Sequence, residues 1–389
     1  MKYDFDTVID RRNTDSMKWR KGLYSREGVL PLSAADMDFQ APQPVVDALM
    51  ARASHPIYGY GYRSDSLYAS VIDRMDRKYG WKVSRAWIRF TPGVMPGVQA
   101  ALRAVTKPGH NVLIQSPVYS PFFHTIEQAG CKVINNRLRV AGGQYEIDFE
   151  DFERRLDDLR PTALILCSPH NPVGRVWTQE ELLKIGSIAR SYGTTVISDE
   201  IHGEIIYSGR QHFPFASISP EDEEGSIVCT SPGKTFSMTG LVASVAIIPN
   251  KELRDRFDAA AGHLMGGVNI MGLIAMEMAY NCGDEWLEQV VQYLESNRNY
   301  LMTFMEENVP RVKAVQPEGS FLAWLDCTDL RLGPKQLQAF FAEKAGVGLV
   351  PGVSYGPGGE PFMRLNFAYP RSVLEEALQR IALAVAEAE

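Results

Sequence analysis

A strand–helix–strand pattern in the middle of the chain narrows the fold more than any other feature. Thr162-Ala163-Leu164-Ile165-Leu166-Cys167 is a nearly continuous apolar run, the composition of a strand covered on both faces of a parallel sheet. After a turn at Asn171-Pro172, Thr178 stands three residues before Glu181, the spacing at which two side chains close each other's free amides at a helix start. Leu182, Leu183, Ile185, Ile188 and Ala189 continue the helix to Gly193, a residue suited to the position just past a helix end. Thr194-Thr195-Val196-Ile197-Ser198 reads as the second strand. A strand, a crossover helix and another strand imply a parallel sheet, so the predicted class is α/β.

Such sheets gather their ligands at the carboxyl ends of the strands. Three strand-like runs end in polar tips: Ser168-Pro169-His170-Asn171-Pro172-Val173-Gly174, Ser198-Asp199-Glu200-Ile201-His202 and Ser231-Pro232-Gly233-Lys234-Thr235-Phe236. A lysine in a turn is ordinarily a solvated loop residue. In this company Lys234 reads as an amine held against a carbonyl cofactor, able to form a Schiff base and shuttle a proton.

The order Asn171, Asp199, Lys234, with Arg364 near the end, resembles the class I/II family of pyridoxal-phosphate (PLP) aminotransferases, fold type I. More narrowly, Ala34-Ala35-Asp36-Met37-Asp38-Phe39 and the tips at Asp199 and Lys234 resemble the cystathionine β-lyase (PatB/MalY-type carbon–sulfur lyase) branch. The resemblance implies a large domain with a mostly parallel seven-stranded sheet flanked by helices, plus a smaller α+β C-terminal domain. It divides the chain into an N-terminal arm and small-domain segment over residues 1–45, a PLP-binding domain over 46–285 and a small domain over 286–389.

Residue by residue, the resemblance gives Lys234 two tasks, anchoring the cofactor and removing the substrate's Cα proton. Asp199 would face the ring nitrogen: at roughly 3 Å and an effective dielectric of about 20, the attraction is about 5 kcal/mol, or some four pKa units before desolvation. Asn171 would donate to the cofactor's phenolic oxygen, and Ser231 would offer its hydroxyl to the phosphate. His202 is either a partner near that oxygen or a satisfied core histidine. Tyr119 is either a core aromatic or a ring stacked on the pyridine. Arg364 matches the clamp for the substrate carboxylate, which a planar guanidinium grips through two parallel bonds, with backbone groups near Ala35 assisting.

Thr91-Pro92-Gly93-Val94-Met95-Pro96-Gly97-Val98 leads into helical spacing at Val98, Ala101, Leu102 and Val105, with Pro96 suited to a first helical position. A helix start is an anion site, and the resemblance puts the phosphate on the amides of Val94 and Met95. Tyr60, in Ile57-Tyr58-Gly59-Tyr60-Gly61-Tyr62-Arg63, matches a tyrosine that reaches the phosphate of the other subunit in a homodimer. Two departures stand out. Val242 occupies the position where many relatives carry a phosphate-binding arginine, and Ser33 and Ala34 replace the usual aromatic before the Ala-Asp-Met-Asp run.

Composition excludes several other functions. With 45% apolar and 22% charged residues and a net charge of −7, the chain is globular and lacks the basic face of a nucleic-acid binder. Five scattered cysteines show neither a zinc spacing nor a disulfide framework. Residues 264–280, the longest soft-apolar run, include Asn269 and Glu277 and fit a buried helix better than a membrane span. The N-terminus has no apolar signal core, and a cytoplasmic location is expected. Residues 251–310 read as helical, and Ser372 with Glu375 as a second capping box opening the last helix. The expected reaction is α,β-elimination from a cysteine conjugate such as L-cystathionine; an aminotransferase and a PLP-bound regulatory protein are the alternatives.

Overall fold

The computed structural model describes residues 2–20, 28–262 and 265–388. At its centre is a seven-stranded sheet. From edge to edge it runs Ile88–Thr91, Ser244–Ile247, Ser226–Thr230, Thr195–Asp199, Ala163–Cys167, Asn111–Ile114 and Lys132–Asn135. The last five of these are mutually parallel, whereas Ser244–Ile247 runs antiparallel to both of its neighbours. Every residue of Ala163–Cys167 is buried, as its apolar run requires. Helix Gln179–Ser191 opens on the reciprocal Thr178–Glu181 pair and ends at Gly193, whose φ is +70°. In the sheet, Cys167 lies opposite Asp199, and Asp199 opposite Cys229. Three successive strands therefore deliver their tips to one edge.

The antiparallel edge serves the same end of the sheet. Ser244 Oγ meets Thr91 Oγ1 at 2.7 Å and accepts the Gly93 amide at 3.0 Å. Gly93 itself sits at φ +118°, which an L-side chain rarely adopts. The chain can thus leave the strand and enter helix Val94–Val105 at once. Pro96 is the third helical residue rather than the first; it still lies in the first turn, where its missing N–H has no intrahelical partner.

The expected helical stretch over 251–310 resolves into Lys251–Ala261, Ile270–Cys282 and the long Asp284–Asn308; residues 263 and 264 lie outside the described residues. A four-stranded antiparallel sheet follows, in the order Lys313–Val315, Leu322–Asp326, Phe362–Asn366 and Val350–Pro351. Its Trp324 stacks on Phe362 of the same sheet (centroids 5.0 Å apart), donates to Tyr145 Oη at 3.0 Å, and shares a buried cluster with Leu113, Leu164 and Leu166 of the large sheet. The closing helix, Arg371–Ala386, is entered through Pro370 with no side-chain cap. The Ser372–Glu375 capping box is therefore corrected: the proline starts the helix earlier and leaves both residues inside it.

Of the N-terminal arm, residues 21–27 lie outside the described residues. Its other parts are tied to the C-terminal body. Phe5 packs edge-on to Phe39 and Trp286, and Leu30–Pro31 pairs in parallel with Val347–Gly348. Among the described residues no helix is long and apolar enough to cross a membrane.

Candidate active site

Lys234 stands on the one-turn helix Pro232–Thr235, which starts where the Ser226–Thr230 strand ends. Ser231 caps it, accepting the Gly233 amide at 3.0 Å and donating its own proton to the Ala243 carbonyl at 2.7 Å. That hydroxyl proton is already committed, so Ser231 acts here as a helix cap. The Lys234 Nζ donates to the carbonyl of Ala35. Burial pushes the amine down to about 8, partly opposed by the Asp36 charge and reinforced by Arg364.

Asp199 closes the Thr195–Asp199 strand, 4% exposed, and its Oδ1 accepts the Ile201 amide at 3.1 Å. Burial pushes it up to about 7 against that amide, the Glu200 charge adding to the rise and Lys234 opposing it. Among the described residues no ion pair joins Asp199 to a cation. Yet Asp199 and Lys234 each shift the other's proton affinity, so a gap separates two groups of opposite charge.

Arg364 lies in the middle of its sheet, opposite Trp324 and Val350. It is 5% exposed, donates to Ser33 O at 2.7 Å and Asn171 Oδ1 at 3.3 Å, and lies 5.4 Å from the Tyr355 ring centroid. Its Nε has no partner, and no carboxylate pairs with it among the described residues. An unpaired buried guanidinium is costly unless a ligand completes it. His202 shares Nδ1 with Ser320 Oγ at 3.1 Å and packs edge-on to Phe321; burial, with the charges of Lys234 and Arg364 behind it, pushes it down to about 3, so it is neutral. Tyr119 packs edge-on to Phe122, and its hydroxyl is raised by burial and then by the Asp199 charge.

No side chain caps the Val94–Val105 helix, which leaves the first-turn amides of Val94 and Met95 facing outward from its start. Val242 is half-exposed in the left-handed region at φ +42°, an uncommon conformation for a β-branched residue. The structure thus brings Lys234, Asp199, Asn171, Arg364, His202 and Ala35 together. Tyr60 stands apart, fully exposed at 106%. Sequence reasoning missed Lys18 and Asp36, whose charges act on Lys234, Asn366, which holds the carbonyls on either side of Ala35, and Tyr355, whose ring lies beside Arg364.

The model of the family "Aminotransferase class I and II" matches residues 27–381. The chain belongs to this family. It is 41% identical over 385 residues to "Cystathionine beta-lyase PatB" of Bacillus subtilis (strain 168), covering 98% of this chain and 100% of that one. Cystalysin from Treponema denticola, whose crystal structure contains a pyridoxal 5'-phosphate cofactor, superimposes with a TM-score of 0.95 at 35% identity over 100% of both chains. The PLP-bound C-S lyase of Staphylococcus hominis superimposes with a TM-score of 0.92 at 31% identity, over 99% of this chain and 98% of that one. The fold is PLP fold type I.

The residues present fit that family's cofactor. A carboxyl pushed up to about 7 by burial suits a protonated ring nitrogen, and an amine pushed down to about 8 by burial suits imine formation with an aldehyde. An uncapped helix start suits a phosphate. A test follows for the cofactor-free chain. The folded-state pKa of Asp199 lies above the ordinary 3.8, so the folded form holds an extra proton between about pH 4 and 7, and the associated stability is lost as pH rises through that window. Asp199→Asn should therefore resist urea better than the parent at pH 8, by on the order of 2–4 kcal/mol, with the two converging toward pH 4. Equal stability at pH 8 would mean that Asp199 already has a counter-ion.

Proposed function

We propose that the chain is a PLP-dependent carbon–sulfur β-lyase that eliminates the thiol from L-cystathionine or a related cysteine conjugate, leaving pyruvate and ammonia. The observation that carries this reading is the full-length identity of 41% with a cystathionine beta-lyase. Bound PLP supplies an aldehyde and a sink for the electron pair left by the departing α-proton. Lys234 holds the cofactor and, once released from it, takes the α-proton at its Nζ. Asp199 keeps the ring nitrogen protonated, the task for which an ionised carboxylate in a dry site is suited. Arg364 receives the substrate carboxylate, with Asn171 and Ser33 O fixing the guanidinium's orientation. Loss of the β-thiolate leaves an enamine that water hydrolyses to pyruvate and ammonia.

Given L-cystathionine and no 2-oxo acid, the enzyme should release pyruvate, ammonia and a thiol in equal amounts. Strict dependence on a 2-oxo acid would instead make it an aminotransferase built from the same groups. Arg364→Ala should lower kcat/KM by about 10²–10⁴-fold, chiefly through KM, because two bonds to a charged group are lost at roughly 1.5–3 kcal/mol each. Unchanged kcat and KM would remove Arg364 from the site.

We further infer a homodimer, in which Tyr60 completes the partner's phosphate site. Supporting this, Ile57, Tyr58, Tyr60 and Tyr62 are all exposed on one short segment, an apolar surface of the kind a second subunit covers. All five cysteines are free thiols, four of them buried, which suits a reducing compartment such as the cytoplasm.

A further inference from the structure

Four consecutive backbone carbonyls, those of residues 33–36, form a strip on which the site's cationic and amide donors converge. Ser33 O accepts Arg364 Nη2 at 2.7 Å, and Ala34 O accepts Asn366 Nδ2 at 2.6 Å. Ala35 O accepts Lys234 Nζ. Asp36 O accepts both Asn366 Nδ2 at 2.7 Å and Lys18 Nζ at 2.9 Å. The strip is therefore held from one side by the four-stranded sheet, through Asn366, and from the other by the N-terminal arm, through Lys18.

Lys18 is an unusual residue for an arm. Its side chain is wholly sealed, with Nζ 3.0 Å from Asp36 Oδ1, 2.9 Å from Asp38 Oδ1 and 4.2 Å from the Tyr369 ring centroid. Arg11 closes the cluster from outside, 2.7 Å from Asp36 Oδ2 and paired also with Asp38. A sealed ammonium is tolerated only with its partners ionised and in place, so Lys18 requires Asp36 to be a carboxylate. Burial alone would raise Asp36, but the Lys18 and Arg11 charges hold it below the usual carboxylate range.

We propose that Lys18 and Asp36 are positioning residues for the reaction: together they pin the backbone strip against which the free amine of Lys234 rests, and they place one negative charge beside it. The proposal rests on the reading of Lys234 as the reacting amine. The charged groups that act on Lys234 are Asp36, Arg364, Asp199 and Lys18, in that order of effect. Arg11 and Asp38 pair with or flank Asp36, and neutral His202, held by Ser320, is near enough for the Lys234 charge to act on it. Asp36 is the largest charge opposing the depression of the amine and Lys18 adds to that depression, so removing one or the other should move the amine in opposite directions.

The test adds PLP to the cofactor-free full-length chain across a pH series and follows the rate at which the visible chromophore forms, since only the neutral amine reacts. The wild type should show a midpoint near pH 8, where the amine titrates. Asp36→Asn should lower that midpoint by about one unit and Lys18→Met should raise it by about half a unit or more. The acid limb of kcat should move the same way in each holoenzyme. Midpoints that shift together, or stay fixed while activity falls, would overturn the proposal and leave the cluster a structural tie. Should Lys18→Met fail to fold, Asp36→Asn decides alone: a lower midpoint supports the proposal and an unmoved one overturns it. Failure of the underlying reading is separable, because borohydride would then leave Lys234 of the wild type unlabelled whatever the variants do.

Discussion

Lys234→Ala should reduce thiol release from L-cystathionine by at least about 10⁴-fold. General-base transfer alone is worth roughly 10²–10⁴, and the same amine also anchors the cofactor. The loss should be chemical rather than structural. Among the described residues the Lys234 ammonium has one hydrogen-bond partner, the Ala35 carbonyl; removing the side chain breaks no ion pair, Asp36 keeps Lys18 and Arg11, and Asp199, with its pKa already pushed up by burial, can take a proton. Near-parental thermal stability with absent turnover is the expected pair of results. A variant retaining a tenth of the parental rate would exclude Lys234 as the base.

Asp199→Asn should keep the cofactor bound but lower kcat by about 10³-fold. Asparagine preserves the shape and can still accept the Ile201 amide, so what disappears is the charge. That charge is worth about 5 kcal/mol against a cation at roughly 3 Å and an effective dielectric of about 20, part of it offset by burying the carboxylate. Without it the ring nitrogen loses its proton and the sink for the α-carbon electron pair weakens. A loss below about tenfold would mean that some other group protonates the ring. Together with the gain in stability expected of the cofactor-free variant at pH 8, this makes position 199 a place where function and stability pull in opposite directions.

What the sequence revealed was what its local periodicity carries. Ala163–Cys167, Gln179–Ser191 and Thr195–Asp199 could be read because apolar runs and a capping box are short-range patterns, and their order imposes the parallel sheet that aligns Asn171, Asp199 and Lys234. Lys18 was invisible for the opposite reason. A lysine in a polar arm looks solvated, and its burial is created by Asp36, Asp38 and Tyr369, which only the folded chain brings to it. Asn366 and Tyr355 likewise acquire meaning only when the four-stranded sheet is laid beside residues 33–36 and Arg364. Ser231 illustrates a third case. Its position beside Lys234 was evident, but the carbonyl of Ala243, the residue before the antiparallel strand Ser244–Ile247, takes its proton. At the C-terminus, Pro370 set the helix start and displaced the capping box expected at Ser372.

The most direct test of a lysine and an aspartate flanking one aromatic ring is chemical mapping of the wild-type enzyme. Borohydride added to the PLP-loaded protein, followed by proteolysis and mass spectrometry, should place a single pyridoxyl group on the peptide carrying Lys234. A pyridoxyl group on any other lysine, or none at all, would contradict the account.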